Sequence, residues 1–178
     1  MDMELPMLEH ELYMREALIE ARLALSQGEF PVGVVLVANG QVLARGRRRN
    51  SQAQSRNEMD HAEINALRSL LQEFPQVNTA AITLYTTMEP CLMCYASALL
   101  AGIRTFVWAY EDVMGGGTGI PLQQLNPLYA NMQVQLVGRV LRRESLKLFQ
   151  HFFRMGDYWQ DSLLARYTLA QTLDEPGL

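Results

Sequence analysis

The stretch Thr83-Leu-Tyr-Thr-Thr-Met-Glu-Pro-Cys-Leu-Met-Cys94 passes from strand-like to helix-like sequence within a few residues. β-Branched and aromatic residues dominate its first half, which predicts a strand over residues 80–86. Pro90 suits the first turn of a helix, where its missing N–H costs nothing. The apolar residues that follow predict a short buried helix. Both cysteines of the 178-residue chain, Cys91 and Cys94, therefore lie at the start of a helix that follows a strand.

An amphipathic helix is predicted over about residues 8–26, because four apolar residues recur at helical spacing before Gly28. These four residues are Leu8, Leu12, Ile19 and Leu23.

A β-hairpin is predicted next, where Asn39-Gly40 joins β-branched runs at residues 32–38 and 41–45. An Asn-Gly pair in this position is a strong hairpin signal, because both residues tolerate positive φ. The remaining periodic segments predict helices over about 61–74, 143–155 and 157–173 and strands over 104–110 and 132–137. Strands that alternate with helices after a hairpin favour the α/β class, with a mixed sheet and helices on both faces.

Composition narrows the class of protein. Apolar residues make up 49% of the chain and charged residues 19%, as expected for a globular domain. The longest apolar runs are too short to span a membrane, and the acidic amino terminus lacks the layout of a signal peptide. We therefore expect a soluble cytoplasmic protein with no membrane contact. In that compartment a disulfide between the two cysteines would not persist.

Positive charge is concentrated in one place, although the net charge is −4. Four arginines, Arg45, Arg47, Arg48 and Arg49, crowd into five positions. The acidic balance argues against a protein whose whole surface follows nucleic acid, but a local patch can still bind phosphate. A hairpin end that is merely solvated is the alternative interpretation.

The cysteine pair allows three interpretations: a redox pair, a structural metal site, or two ligands of a catalytic metal. Residues three apart at a helix start can direct both sulfurs to one point, and the helix dipole favours thiolates there. His61, at the start of another predicted helix with Asp60 as a possible N-cap, is the natural third ligand of Cys91 and Cys94. Structural zinc usually takes four protein ligands, so three favour an open site with water in the fourth position.

Glu63 adds a carboxylate close to this site. Positions i and i+2 do not share a helix face, so Glu63 is a poor ligand for the metal of His61, but it can reach a water bound there as a general base. The two segments together form H-x-E…P-C-x-x-C, the signature of zinc nucleobase deaminases. Either half alone is weak, since a lone C-x-x-C can be redox-active.

At this point the sequence resembles the cytidine deaminase superfamily, most closely bacterial tRNA adenosine deaminases and related guanine and cytosine deaminases. The resemblance runs from Tyr13 to Met155 and includes the first strand, the strand-to-helix stretch quoted above, and Phe152-Phe-Arg-Met155. It implies a three-layer cytidine-deaminase-like fold with a five-stranded mixed sheet. Residues 1–155 would form the zinc deaminase domain and residues 156–178 a helical extension of it. A homodimer through residues 96–101 is also implied.

The resemblance further implies hydrolytic deamination, with one zinc ion per chain and a water molecule as its fourth ligand. Glu63 would shuttle protons as the catalytic residue. Asn50, Met88 and Glu89 would contact the substrate, and Asp60 could accept a hydrogen bond from the amine of the base. Stabilisation of the turn before the helix is an alternative role for Glu89.

Departures from the tRNA enzymes bear on the substrate. Their Asp-Pro-Thr-Ala run is replaced by Asn57-Glu-Met-Asp60, their basic turn by Ala101-Gly102, and their lysine-containing loop by residues 113–118. We therefore favour a free nucleobase or nucleoside as the substrate. The alternative is a tRNA wobble adenosine, which the arginine cluster supports, and a zinc-bearing binding protein is the non-enzyme alternative. Tyr158, Trp159 and Tyr167 of the extension are interpreted as ordinary packing residues.

Overall fold

A computed structural model describes residues 4–173 as a mixed sheet between layers of helices. The strands are β1 (Gly33–Ala38), β2 (Gln41–Arg47), β3 (Thr83–Met88), β4 (Thr105–Tyr110) and β5 (Gln135–Val137). The helices are α1 (Glu4–Ser26), α2 (Ala62–Glu73), α3 (Leu92–Leu100), α4 (Pro127–Ala130), α5 (Arg142–Met155) and α6 (Leu163–Ala170). Residues 1–3 and 174–178, which the predicted domain limits include, lie outside the described residues.

The five strands lie in the order β2-β1-β3-β4-β5. β1 is antiparallel to both of its neighbours, whereas β3, β4 and β5 run parallel. Asn39 and Gly40 adopt positive φ angles of 51° and 74° in the turn between β1 and β2, so the predicted hairpin is present. The predicted α/β class, with a mixed five-stranded sheet and helices on both faces, is confirmed.

The side chains of β1 point alternately to the two faces of the sheet and so contact different layers of helices. Val35 points to one face, where it packs in a cluster with residues of α1 such as Met14 and Leu18. Leu36 points to the other face and joins a larger cluster that includes residues of α2, α3 and α5. Side chains of a strand point alternately to the two faces, so a strand buried on both sides reads as a continuous apolar run.

The packed face of α1 differs from the prediction. All four residues of the predicted stripe are at least 42% exposed, and the buried face contains Met14, Ala17, Leu18 and Ala21 instead. The helix lies so close to β1 that a Cβ on Gly33 would be 2.2 Å from the carbonyl oxygen of Ala17. Small residues are therefore required at this contact. Among the described helices, none combines the length and the apolarity that a membrane crossing requires.

The two helices that carry the predicted metal ligands begin one residue later than expected. His61 is the N-cap of α2 and Cys91 the N-cap of α3, and both have extended backbone with ψ of 159° and 168°. Asp60 is therefore not the N-cap, and Pro90 precedes the cap and lies outside the first turn. An N-cap side chain is free to turn away from its own helix, and both do so here toward one point.

The carboxyl-terminal part contains one element as predicted and one that is shorter. Phe149 and Phe153 of α5 are buried as expected. The last helix begins at Leu163, because residues 157–161 form turns in which Trp159 has a φ of 54°. The extension is packed onto the core, and one of its contacts is a 3.0 Å hydrogen bond between the hydroxyls of Tyr110 and Thr168.

Candidate metal and catalytic site

The site lies at the carboxyl edge of β3, where α3 begins. His61, at the start of α2, reaches across to it. His61 Nδ1 is 3.5 Å from the sulfur of Cys91 and 3.5 Å from the sulfur of Cys94. Ligand atoms of the three residues all lie within 4.8 Å of one another, so the structure brings together the three predicted metal ligands.

The donor set and its spacing fit zinc. One imidazole nitrogen and two sulfurs are ligands that zinc prefers, and in a tetrahedral site with bonds of about 2.0–2.3 Å the nitrogen and each sulfur lie about 3.6 Å apart. The observed 3.5 Å separations agree with that spacing. Three protein donors leave one tetrahedral position open, as in catalytic zinc sites.

The electrostatics of the three side chains also suit a cation. A hydrogen bond from the thiol of Cys94 holds the pKa of Cys91 well below its usual range, against the effect of burial and with help from His61. Burial opposes protonation of His61, but its hydrogen bond with Cys91 and the negative charges of Glu63 and Cys91 together outweigh burial and raise the pKa of the imidazole. The lowered pKa favours a thiolate on Cys91, and the thiolate is the form of cysteine that binds metal.

Glu63 lies directly beside this centre and is only 4% exposed. One carboxylate oxygen is 3.5 Å from the sulfur of Cys94, and the other is 3.5 Å from the hydroxyl of Thr86. Burial raises the pKa of Glu63, and the negative charge on Cys91 raises it further. A carboxyl with a raised pKa next to an open metal position holds a proton more readily than an exposed carboxyl and is suited to proton transfer.

A cavity of about 90 Å³ opens in front of Glu63 and His61. Its other polar lining residues are Arg48, Glu89, Cys91 and Asp112. Its apolar and small lining residues are Phe30, Val32, Ala62, Met88, Met114, Gly115, Trp159 and Leu164. The combination of apolar walls and a few polar groups is typical of a small-molecule pocket.

Two of the predicted substrate contacts, Met88 and Glu89, line this pocket. The carboxylate of Glu89 accepts hydrogen bonds from the backbone N–H of Asp112 and from the hydroxyl of Thr118. It thus holds the glycine-containing loop against the start of α3. The alternative role of Glu89, which is to stabilise this turn, is the one that its side chain performs here.

The other two predicted contacts, Asn50 and Asp60, line a second cavity. Asp60 forms a 2.8 Å ion pair with Arg68 and is not among the residues that line the pocket, so its contact with a substrate stays a prediction. Asn50 is 2% exposed, its amide nitrogen donates to the backbone carbonyl of Asn57, and its Oδ1 has no hydrogen bond within residues 4–173. The structure therefore does not bring these two residues together with Glu63.

The arginine cluster is divided by the fold. Arg48 is 4% exposed and lines the pocket in front of Glu63, so it is not part of a surface patch. Arg45 and Arg47 form ion pairs of 2.7 Å and 3.1 Å with Glu16 and Glu20 of α1. β2 directs its side chains alternately, and the chain turns inward after the strand, which separates Arg48 from the other arginines.

Several pocket residues were not identified from the sequence. Asp112 follows the end of β4, parallel to β3, and the rule that functional groups gather at the carboxyl ends of parallel strands could have indicated it. Burial raises the pKa of Asp112, although backbone N–H groups of Gly115 and Met114 oppose this. Trp159 had no such signal, because it reaches the pocket from an irregular turn.

A cytidine-deaminase-like fold with a His-Cys-Cys centre and a buried glutamate defines the class of zinc-binding deaminases. Comparison with known proteins supports the same class. The family described as cytidine and deoxycytidylate deaminase zinc-binding region matches residues 7–110. The chain belongs to this family.

Individual relatives are tRNA-modifying enzymes. The chain is 34% identical over 148 residues to the tRNA-specific adenosine deaminase of Bacillus subtilis, covering 83% of this chain and 91% of that enzyme. It is 32% identical to the tRNA-specific adenosine deaminase of Agrobacterium fabrum, with coverage of 83% and 96%.

Solved structures give the same picture of the fold. A structure from work on A-to-I editing by tRNA:A34 deaminases has a TM-score of 0.64 and 30% identity, covering 76% of this chain and 96% of that one. The guanine deaminase of Nitrosomonas europaea has a TM-score of 0.65 but only 21% identity, with coverage of 80% and 83%, so it supports the fold alone.

Proposed function

We propose that this chain is a zinc-dependent hydrolytic deaminase that converts an adenosine of a tRNA to inosine, with release of ammonia. The observation that carries the deaminase chemistry is the buried Glu63 carboxylate 3.5 Å from the sulfur of Cys94, beside His61. The tRNA substrate is supported by relatives at 31–34% identity that are tRNA-specific adenosine deaminases. This reverses the order that the sequence alone favoured, in which a free base or nucleoside came first.

The proposed metal ligands are Nδ1 of His61 and the sulfurs of Cys91 and Cys94. A zinc ion held there would lower the pKa of a bound water toward neutrality and so supply a nucleophile. Glu63 is proposed as the catalytic residue that accepts a proton from the attacking water and delivers it to the departing amine. Its burial suits the return of the proton, because burial raises the pKa of the carboxyl and so favours its protonated form.

The base is proposed to lie in the pocket between Met88 and the side chains of Phe30 and Trp159. Backbone groups near Met88 and Glu89 would hold one edge of the ring. Asp112 supplies a further hydrogen-bonding carboxyl within the same pocket. Asn50, whose Oδ1 has no partner among the described residues, remains a predicted substrate contact only if its side chain turns toward the pocket.

The tRNA backbone is proposed to approach the second cavity, which has a volume of about 510 Å³. Four arginines line it: Arg45, Arg47, Arg49 and Arg68. Arg49 is exposed and forms no ion pair with another residue of the described part of the chain. The three others are paired with carboxylates, so they would attract phosphate less strongly than free arginines.

A free purine base or nucleoside is the second candidate substrate. The specific observation in its favour is that Trp159 and Leu164 of the extension line the catalytic pocket. Side chains that close the pocket from this side would enclose a small molecule well. An anticodon loop would have to pass them.

A panel of substrates tests the proposal. Purified protein of known zinc content is incubated with an adenosine-34 anticodon stem-loop, adenosine, adenine, guanine, cytosine and cytidine, and ammonia release is measured. We expect turnover of the stem-loop, none with a guanosine-34 stem-loop, and strong loss in Glu63→Gln. Turnover of a free base or nucleoside with none of the stem-loop would replace the proposal by the second candidate. Bound zinc without any turnover would favour the non-enzyme alternative.

A further inference from the structure

Three polar side chains close a triangle of hydrogen bonds beside the metal site. Arg48 Nη2 donates to Glu58 Oε2 at 2.8 Å and to the Tyr158 hydroxyl at 2.9 Å, and that hydroxyl donates to Glu58 Oε1 at 2.7 Å. Arg48 and Tyr158 are buried, whereas Glu58 reaches in from the surface. The Arg48–Glu58–Tyr158 triangle joins the end of β2, the loop before α2 and the carboxyl-terminal extension. Side chains from two other segments, one of them 100 residues away in sequence, therefore fix the position of the Glu58 carboxylate.

The triangle presents this carboxylate to His61. Glu58 Oε2 lies 3.5 Å from His61 Nε2, which is buried and makes no hydrogen bond with the residues that the structure describes. The other ring nitrogen, Nδ1, faces the two sulfurs. A neutral imidazole carries one N–H, so a histidine that binds a metal through Nδ1 must carry its proton on Nε2. That N–H would face Glu58.

We propose that Glu58 is a positioning residue for the metal ligand His61, and that the extension contributes to the metal centre through Tyr158. A carboxylate that accepts the second N–H of a ligand histidine fixes its tautomer and ring orientation and strengthens its bond to the metal. This inference rests on one part of the proposed function, the binding of a metal by His61 Nδ1. It does not depend on which substrate the protein takes.

A purely structural ion pair between Arg48 and Glu58 is the competing explanation. The side chain of Arg48 is 5% exposed, so the pair also neutralises a buried guanidinium, although the side chain of Glu58 is 49% exposed. An ion pair alone would, however, leave the buried Nε2 of His61 without an acceptor, whereas a buried donor normally has one. This buried nitrogen favours an additional role of Glu58 toward His61.

Zinc affinity tests the proposal directly. The dissociation constant is measured by competition with a chromophoric chelator for wild type, Glu58→Ala, Glu58→Gln and Tyr158→Phe. The matched control is Glu16→Ala, which removes another surface glutamate that is paired with an arginine, at 2.7 Å. We expect Glu58→Ala to weaken zinc binding by about 10–100-fold, the usual effect of removing such a partner. Glu58→Gln, which keeps a neutral acceptor, should lie between Glu58→Ala and wild type.

Tyr158→Phe keeps the ring that stacks on Trp159 and removes only the hydroxyl, so a smaller but measurable weakening is expected. Thermal unfolding of the metal-free variants shows whether weaker zinc binding results from a misplaced ligand or from a general loss of fold. If Glu58→Ala proves unstable, the zinc affinity of Tyr158→Phe tests the proposal in its place. Wild-type zinc affinity in both variants, or an equal loss in Glu16→Ala, would overturn the proposal. Because zinc binding is measured without substrate, a wild-type protein that binds zinc but has no deaminase activity would contradict the proposed function alone.

Discussion

Replacing Glu63 by glutamine separates the catalytic role of this side chain from its structural role. The change keeps the shape of the side chain but removes its charge and its ability to exchange a proton. Glu63 is 4% exposed, and its contacts with Thr86 and Cys94 are both as long as 3.5 Å. A hydroxyl hydrogen bond of that length is weak, a thiol is a weak donor, and a buried charge without close partners is unfavourable. Glu63 therefore contributes little to the stability of the fold.

The expected effect on catalysis is much larger. A positioned general acid or base contributes a factor of about 10²–10⁴ in rate, which is roughly 3–5 kcal/mol at 1.36 kcal/mol per factor of ten. Since Glu63 is buried, bulk water is poorly placed to substitute for it, and we expect kcat of Glu63→Gln to fall toward the larger end of that range. We expect its melting temperature to equal or exceed that of the wild type, as is common when a functional group is removed from an active site.

The assay combines three measurements on the same preparation: kcat from ammonia release, zinc content by atomic absorption, and the melting temperature. A fall in kcat with full zinc content and an unchanged melting temperature is the expected result. Wild-type kcat at full zinc content would remove Glu63 from the mechanism. A loss of zinc together with activity would instead mean that Glu63 supports the metal and not the proton transfer.

Two further predictions concern stability and assembly. Hydrogen bonds from Arg142 and Tyr167 hold the pKa of Glu111 below its ordinary value of 4.5 despite burial. These bonds therefore stabilise the fold above that pH, and their contribution is lost as the pH falls through the lowered pKa. Glu111→Gln should lower the free energy of unfolding by about 1.5–3 kcal/mol at pH 7 and flatten its acid dependence, as measured by urea denaturation; an unchanged acid limb would contradict this. Leu100, 60% exposed on α3, lies in the predicted homodimer interface, so Leu100→Glu should give monomers by light scattering, whereas the control Leu8→Glu on α1 should not. A monomeric wild type would exclude that interface.

The metal site was predictable from the sequence because its determinants are local. Cys91 and Cys94 fall within one helical turn, and His61 caps a second helix, so each helix start carries its own ligands. The structure needs only to bring two helix starts together, which the carboxyl edge of β3 does. The hairpin at Asn39 and Gly40 was predictable for the same reason, since the backbone angles of two residues determine it.

The packed face of α1 was not predictable from its own sequence, because the strand that packs against the helix determines which face is buried. Apolar spacing favours the side with Leu8 and Ile19, but β1 approaches the side with Ala17 and Ala21 too closely for large side chains. The close approach follows from Gly33 in β1, a residue distant in sequence. A hydrophobic period identifies a helix, whereas the fit between two surfaces determines which face is buried.

The roles within the extension depend on contacts that no local pattern encodes. Tyr158 and Trp159 were interpreted as packing residues, and their rings do stack at 5.4 Å. However, the hydroxyl of Tyr158 also binds Arg48 and Glu58, and Trp159 lines the pocket. Both roles require residues 157–161 to turn back over the core. The sequence pattern predicts a helix for this segment, so neither role could be predicted from it.

The division of the arginine cluster determines how strongly tRNA binding should depend on salt. For single-stranded nucleic acid, the slope of log K against log salt is about −0.7 per neutralised phosphate. If all four arginines of the cavity engaged phosphates, affinity would fall roughly 50-fold between 50 and 200 mM salt, whereas Arg49 alone would give a fall of less than about threefold.

Because Glu16, Glu20 and Asp60 already neutralise three of these arginines, we expect a slope nearer the value for Arg49 alone. Fluorescence anisotropy with a labelled anticodon stem-loop measures this slope. Arg49→Gln should remove most of it, and Arg104→Gln, whose side chain bonds the carbonyls of Leu99 and Ile103 away from this cavity, serves as the control. A steep slope that survives Arg49→Gln would place the phosphate contacts elsewhere on the surface. Binding that is insensitive to salt would remove the electrostatic argument for a tRNA substrate and strengthen the case for a small base.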